Sequence, residues 1–115
     1  MKVTQIPFPD PANLRVPESF HDTKKEIQNH RTALMSGITV TVELPPGGRN
    51  HHACATIDRS APDHYWIDKA FKGDKGYTNF CTRINAAALA LFREGCFGEF
   101  DVDHHDGVLT IRRLV

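Results

Sequence analysis

The stretch "DVDHHDGVLTIRR", Asp101 to Arg113, sets three Asp and two His in its first six positions. Its centre, Asp106-Gly107, reads as a two-residue hairpin turn, because both positions of such a turn need a positive φ. With that turn at the tip, the register of the flanking strands follows. His104 faces Leu109, Val102 faces Ile111 and Phe100 faces Arg113 on one side. Asp101 faces Arg112, Asp103 faces Thr110 and His105 faces Val108 on the other. An Asp–Arg pair across two strands suits a solvent-facing ladder.

The stretch before it, "YTNFCTRINAAALALFREG", is the strongest helix of the chain, with Thr78 as its cap and Gly95 as its stop. Cys81, Ile84, Ala88 and Leu91 form one stripe. Phe80, Ala87, Leu89 and Phe92 widen it nearly all round, which predicts a central, buried helix. Its run of three alanines permits close approach of a neighbouring sheet.

Further back, Ile38, Val40, Val42 and Leu44 alternate with Thr39, Thr41 and Glu43, the period of a half-buried strand. Beyond "PPGGRN", Ala53, Ala55 and Ile57 alternate with His52, Cys54 and Thr56. A hairpin that places Val42 against Ala53, Val40 against Ala55 and Ile38 against Ile57 satisfies every apolar position. It also places Glu43 across from His52. In these registers His51 and His104 point to the core.

"RSAPDHYWIDKAFKGDKG" is expected to hold one short helix. Ser60 would cap it, and Trp66, Ile67, Ala70 and Phe71 would form its apolar side. "PESFHDTKKEIQNHRTALMSG" reads as a surface helix with a Ser19/Asp22 capping box and a Gly37 stop. Its narrow stripe is Phe20, Thr23, Ile27, His30 and Leu34, and Lys24, Lys25, Glu26 and Arg31 are left to water. Residues 1–17, with Pro7, Pro9, Pro11 and Pro17, form an extended arm in which Val3 and Ile6 could anchor an edge strand.

The resulting expectation is an α+β fold in a single domain, 1–115. Two α-β-β units would form a four-stranded antiparallel sheet with the helices packed on one face. The other face would show Thr39, Thr41, Glu43, His52, Cys54, Thr56, Asp101, Asp103, Thr110 and Arg112.

Composition bounds the function. A chain of 115 residues can bury roughly two thirds of its unfolded surface, so folding needs no metal or disulfide. The formal net charge is zero, which argues against nucleic acid as a partner, since phosphate binding needs a basic field. Lys69, Lys72 and Lys75 cluster near Tyr65 and Trp66, but Asp63, Asp68 and Asp74 nearly cancel them. Zero net charge also removes repulsion between copies, which favours a homodimer. Three widely spaced cysteines, Cys54, Cys81 and Cys96, give neither a disulfide framework nor a zinc pattern. Reduced thiols suit a cytoplasmic protein. The N-terminus lacks the apolar stretch of a signal peptide, and no apolar run approaches a membrane span.

Three chemistries compete for the polar residues. Asp101, Asp103 and His105 alternate along one strand and could ligate a metal with His52. Turn chemistry and cross-strand pairing explain the same residues, so no metal and no cofactor is expected. His52 and Cys54 have Cβ atoms about 6.5–7 Å apart on one strand face. With Glu43 orienting the imidazole they have the general form of an activated thiol. The neighbouring "PPGGRN" and "KGDKG" lack phosphate-loop spacing and read as turns. Recognition is the third chemistry, with Tyr65 and Trp66 as aromatic anchors and Arg112 on the open face. The expected function is therefore a small binding or interaction protein, of the kind that serves as an accessory or inhibitor protein of a mobile element, acting as a homodimer or on a protein partner. The alternative is a small enzyme, or a small-molecule or metal binder, built on the His/Cys/Asp cluster.

Overall fold

The computed structural model describes residues 3–7, 19–60, 64–68 and 82–115. In chain order the elements are β1 (Val3–Pro7), α1 (Phe20–Asn29), α2 (Arg31–Met35), β2 (Val40–Glu43), β3 (His51–Ile57), β4 (His64–Asp68), α3 (Thr82–Arg93), β5 (Gly98–His105) and β6 (Val108–Arg113). The Thr78 cap, Phe80, Cys81, Ala70, Phe71 and the Lys69, Lys72 and Lys75 cluster lie outside the described residues.

β5 and β6 pair in the register that the Asp-Gly turn dictates, from Phe100 opposite Arg113 to His105 opposite Val108. Asp106 and Gly107 have φ of 48° and 84°, as a mirror-image hairpin turn requires. The ladder runs past the end of β6. Leu114 N donates to Glu99 O at 2.7 Å, and Glu99 N donates to Val115 O at 3.1 Å.

The class is α+β with an antiparallel sheet, but the sheet has six strands in the order β1-β4-β3-β5-β6-β2, not four. Two expectations fail here. The first is the hairpin between residues 38 and 57. β2 and β3 do not touch, because the β5–β6 hairpin lies between them. Val42 faces Leu109, and Ala53 faces Val102. Parity alone had suggested the direct pairing, and insertion of two strands of matching parity keeps every apolar position on the same face. Leu44–Asn50 is thus no hairpin turn but a clasp across the tip of β5–β6. Leu44 N donates to Gly107 O at 2.7 Å, and Asp106 N donates to Asn50 Oδ1 at 2.9 Å. A Cβ on Gly107 would sit 3.0 Å from Leu44 O, so glycine is demanded there by both φ and space.

The second failure is the short helix after Ser60. His64–Asp68 is strand β4, antiparallel to β3 with Thr56 opposite Trp66. Tyr, Trp and Ile in succession are strand formers, and an open sheet edge outweighs a weak helical pattern. β1 pairs with the far side of β4, so the arm does hold an edge strand around Val3 and Ile6. Helix-strand-strand does recur in chain order, as α2-β2-β3 and α3-β5-β6, but β4 intervenes, and of these two strand pairs only β5 and β6 pair as a hairpin.

The three helices lie on one face of the sheet. α1 packs on α3 and β2, α2 on β6, and α3 on β3 and β5. Ile84 and every residue from Ala86 to Leu91 are fully buried. Their small side chains meet a sheet surface that includes Ala53 and Ala55, itself fully buried. α1 buries Phe20, Thr23 and Ile27, and α2 buries Leu34, the expected stripe without His30. His30 instead separates the two helices at φ −122°. Ser19 adopts φ 67° and makes no side-chain cap, so the capping box does not form. Gly37 ends α2 as expected. Gly37 N donates to Leu34 O and Ile38 N to Ala33 O, the paired bonds of a Schellman stop. That turn leaves Ile38 outside the strand and 57% exposed, contrary to its expected place in the core.

One polar network is sealed inside. His104 is fully buried, on the core face as its register predicts, and Arg83 of α3 is only 4% exposed. His104 Nδ1 lies 2.6 Å from Arg49 O, and a carbonyl only accepts, so Nδ1 carries the proton. Nε2 is then the acceptor for Arg83 Nη1 at 3.0 Å. The same Nη1 donates to Gly47 O at 2.9 Å. The network therefore ties the clasp to α3 and β5.

Candidate functional site

The sheet face opposite the helices carries the polar residues that the strand alternation assigns to it. Register sets them in rows. Trp66, Thr56 and Glu99 form one row across β4, β3 and β5. Cys54, Asp101 and Arg112 form the next across β3, β5 and β6. His52, Asp103, Thr110 and Thr41 form a third that reaches β2. His105, Val108 and Glu43 close the series at the hairpin tip. Trp66, Cys54, Thr56, Asp101, Asp103 and Thr110 are half-buried, whereas His52, Glu43, His105 and Arg112 are exposed.

The closest polar contact on this face joins His52 Nε2 to Asp101 Oδ1. It runs diagonally, since the register partner of His52 is Asp103. Diagonal neighbours on adjacent strands lie within reach of long side chains. The carboxylate takes the Nε2 side of the ring, so in the neutral imidazole Nδ1 is the acceptor. Cys54 sits directly opposite Asp101, on the same strand as His52.

This arrangement revises the thiol cluster. Glu43 is not across from His52. It lies on β2 opposite Val108, with β5 and β6 between it and β3. Asp101 takes the orienting position assigned to Glu43. The pairing that reveals this, β3 with β5, leaves no local signal, because the strands are joined through β4 and α3. β3 beside β5 sets His52 across from Asp103 and within contact of Asp101.

The metal candidates Asp101, Asp103 and His105 share a face but are divided by their contacts. Asp101 is taken by His52, and His105 Nδ1 sits 3.4 Å from Asp106 Oδ2 at the tip. Among the described residues, no group of three His, Cys, Asp or Glu side chains could hold a metal ion.

The aromatic anchors separate too. Adjacent residues of a strand face opposite ways, and Trp66 falls on the open face while Tyr65 falls on the core face. Tyr65 is fully buried, and its hydroxyl donates to Asn85 Oδ1 of α3. Burial pushes its phenol far above the usual range. Tyr65 is therefore a core residue and not a recognition anchor, a correction that follows from the strand replacing the expected helix. Arg112 remains on the open face beside Asp101. Cys96 is buried at the stop of α3, and burial raises its thiol, with Glu94 adding to and Arg31 and Arg113 opposing the effect.

A second concave surface lies at the β2 edge. Asp22, Lys25 and Glu26 of α1 and Thr41, Val42 and Glu43 of β2 line a groove of about 350 Å³. Nothing in the sequence pattern alone joins these two segments, because the contact depends on β2 being the last strand of the sheet. Among the described residues, no helix is long and apolar enough to cross a membrane. Compared with protein-family models, with curated proteins and with solved structures, the chain matches none.

Proposed function

We propose that the chain is a small binding protein whose recognition surface is the face of its antiparallel sheet opposite the helices, centred on Trp66, the His52–Asp101 pair and Arg112. The observation that carries this reading is one-sided coverage. Among the described residues, three helices shield one sheet face, and the other carries alternating polar strand formers around a half-buried tryptophan. Trp and Arg are the side chains that most often anchor a protein interface. Thr, His and Asp supply satisfied polar contacts around them.

The first partner is a second copy of the chain. Zero net charge leaves no long-range repulsion between copies. Arg112 and Asp101 on one surface also let each copy offer both signs of charge to the other. Sedimentation velocity across a concentration series tests this reading, with Arg112→Glu and Trp66→Ala as separate variants. A concentration-dependent dimer that either variant weakens supports it. A wild-type chain that stays monomeric up to about 1 mM, the weak end of specific association, refutes the homodimer.

A second reading, a small enzyme, rests on one observation: the His52–Asp101 contact next to Cys54. In that reading His52 withdraws a proton from the Cys54 thiol, and Asp101 stabilises the resulting imidazolium. Cys54 alkylation by iodoacetamide at neutral pH is the test. A rate that matches an ordinary free thiol, and that His52→Ala leaves unchanged, removes the enzymatic reading.

A further inference from the structure

Among the described residues, β2 is the last strand of the sheet and pairs only with β6. Leu44 N donates inward, to Gly107 O. Along an antiparallel strand the N–H and C=O of successive residues alternate in direction. Val42 and Val40 therefore share the inward direction of Leu44, and Thr41 and Glu43 turn their N–H and C=O away from the sheet. Val40–Glu43, VTVE, is rich in strand formers. It lacks the Pro that blunts the opposite edge at Pro7 of β1.

Beside this edge runs the groove between α1 and β2. It presents three carboxylates, Asp22, Glu26 and Glu43, against a single ammonium, Lys25. Asp22 and Glu43 are exposed. Glu26 is half-buried, with a carboxylate oxygen 3.5 Å from Nε2 of the exposed His30. We infer that the β2 edge and its acidic groove accept an extended, basic peptide segment of a partner protein. That segment would add a seventh strand and direct lysines or arginines towards Asp22 and Glu26.

Two physical arguments select this occupant. The outward N–H and C=O groups of Thr41 and Glu43, which no described strand pairs, match an extended backbone, which is how strand addition supplies affinity. Charge then selects the partner. A second copy docked edge to edge about a two-fold axis would bring these carboxylates against their own counterparts, and like charges facing each other across strands are destabilising. A basic segment meets opposite charge at the same positions. The inference does not rest on the sheet-face reading, because it uses the β2 edge and α1 rather than Trp66, the His52–Asp101 pair and Arg112.

The test uses the full ¹⁵N-labelled chain and a synthetic heptapeptide, Thr-Lys-Thr-Lys-Thr-Lys-Thr, with the glutamate analogue Thr-Glu-Thr-Glu-Thr-Glu-Thr as control. At saturation the Thr41 and Glu43 amides should exchange with solvent at least about tenfold more slowly, as newly paired edge groups do. The combined Asp22→Asn and Glu26→Gln variant should weaken binding at least about tenfold, a modest loss for two opposed charges. A lysine peptide N-methylated at alternate residues should not bind when the methyls fall on the pairing side, and should bind when they fall on the other. Four outcomes would overturn the inference. They are no binding up to about 1 mM, equal binding of the glutamate peptide, binding without protection of Thr41 and Glu43, and binding indifferent to N-methylation. The last two would mean that the carboxylates attract cations without accepting a strand.

Discussion

The network of Arg83, His104 and the clasp makes a quantitative prediction. His104→Leu keeps a side chain of similar bulk but removes two hydrogen bonds at once, Nδ1–H to Arg49 O and Arg83 Nη1 to Nε2. The first is a neutral bond, worth about 1 kcal/mol net. The second involves a guanidinium that is 4% exposed, so losing its acceptor costs about 1.5–3 kcal/mol. The expected destabilisation is the sum, about 2.5–4 kcal/mol, against a total stability of about 5–15 kcal/mol. Arg83→Met should cost a similar amount, because it leaves His104 Nε2 buried without its donor. The double variant removes both side chains together, so neither is left buried without the other, and it costs less than the two single losses added. Its destabilisation should therefore fall short of the sum of the two singles by about 1–3 kcal/mol. Urea denaturation of the four proteins in the cycle measures this directly. Strictly additive single effects, or a His104→Leu chain as stable as the parent, would refute the argument that these groups act as one unit. Limited proteolysis supplies a spatial check. Leu44–Asn50 should become the first cleavage site in either single variant, since His104→Leu takes a donor from Arg49 O and Arg83→Met takes one from Gly47 O.

Other consequences follow from the same geometry. Gly107→Ala must place a Cβ 3.0 Å from Leu44 O at φ 84°, and strain of that kind costs about 1–3 kcal/mol, visible as a lower urea midpoint. Gly98→Ala is more severe, because its Cβ would fall 2.3 Å from Val115 O, and the Glu99–Val115 backbone bond should open in hydrogen exchange. Tyr65 makes the protein alkali-sensitive. Its folded phenol is held protonated well above the value of about 10 that governs the unfolded chain. Stability from this group is then complete below about pH 10 and declines above it by at most about 1.4 kcal/mol per pH unit. Tyr65→Phe should flatten that decline, and absorbance of the tyrosinate should rise together with unfolding and not before it. Cys96, buried with a raised thiol, should be alkylated at least about tenfold more slowly than the half-exposed Cys54, as mass mapping of the native chain would report.

The parts of the fold legible in the sequence were those whose cause is local. Asp106-Gly107 fixes a turn by its own backbone requirements, and the whole β5–β6 register came with it. Gly37 and Gly95 end helices by their own left-handed φ, 91° and 71°. The alternation along Val40–Glu43 and His51–Ile57 sorted the polar and apolar faces correctly even though the strands were paired wrongly. Alternation has a period of two and therefore reports a face, never a neighbour. What distinguishes the β2–β3 hairpin from the observed clasp is long-range competition. Direct pairing would use "PPGGRN" as its turn. The observed order instead gives β5 and β6 partners on both sides. It also seats the clasp carbonyls of Gly47 and Arg49 on Arg83 and His104. No pairwise reading of two adjacent strands contains that gain.

The same distinction governs the candidate surfaces. The polar sheet face was legible because it is a property of alternation within each strand. Its most pointed feature, His52 beside Asp101, was only half legible, because it needs β3 next to β5. The acidic groove was not legible at all. Asp22 and Glu26 looked like the solvated side of a surface helix, and Glu43 looked like the partner of His52. Their convergence arises only because the β5–β6 hairpin displaces β2 to the margin of the sheet and leaves α1 lying along it. The strand insertion that invalidated the simple hairpin therefore did two things at once. It gave His52 a carboxylate from β5 in place of one from β2, and it left Glu43 lining the same groove as two helix carboxylates at the outer edge of the described sheet. A chain in which β2 paired with β3 would have neither feature. Disrupting the clasp should accordingly weaken peptide binding at the β2 edge before it alters the His52–Asp101 pair, whose strands are held together along their whole seven-residue ladder.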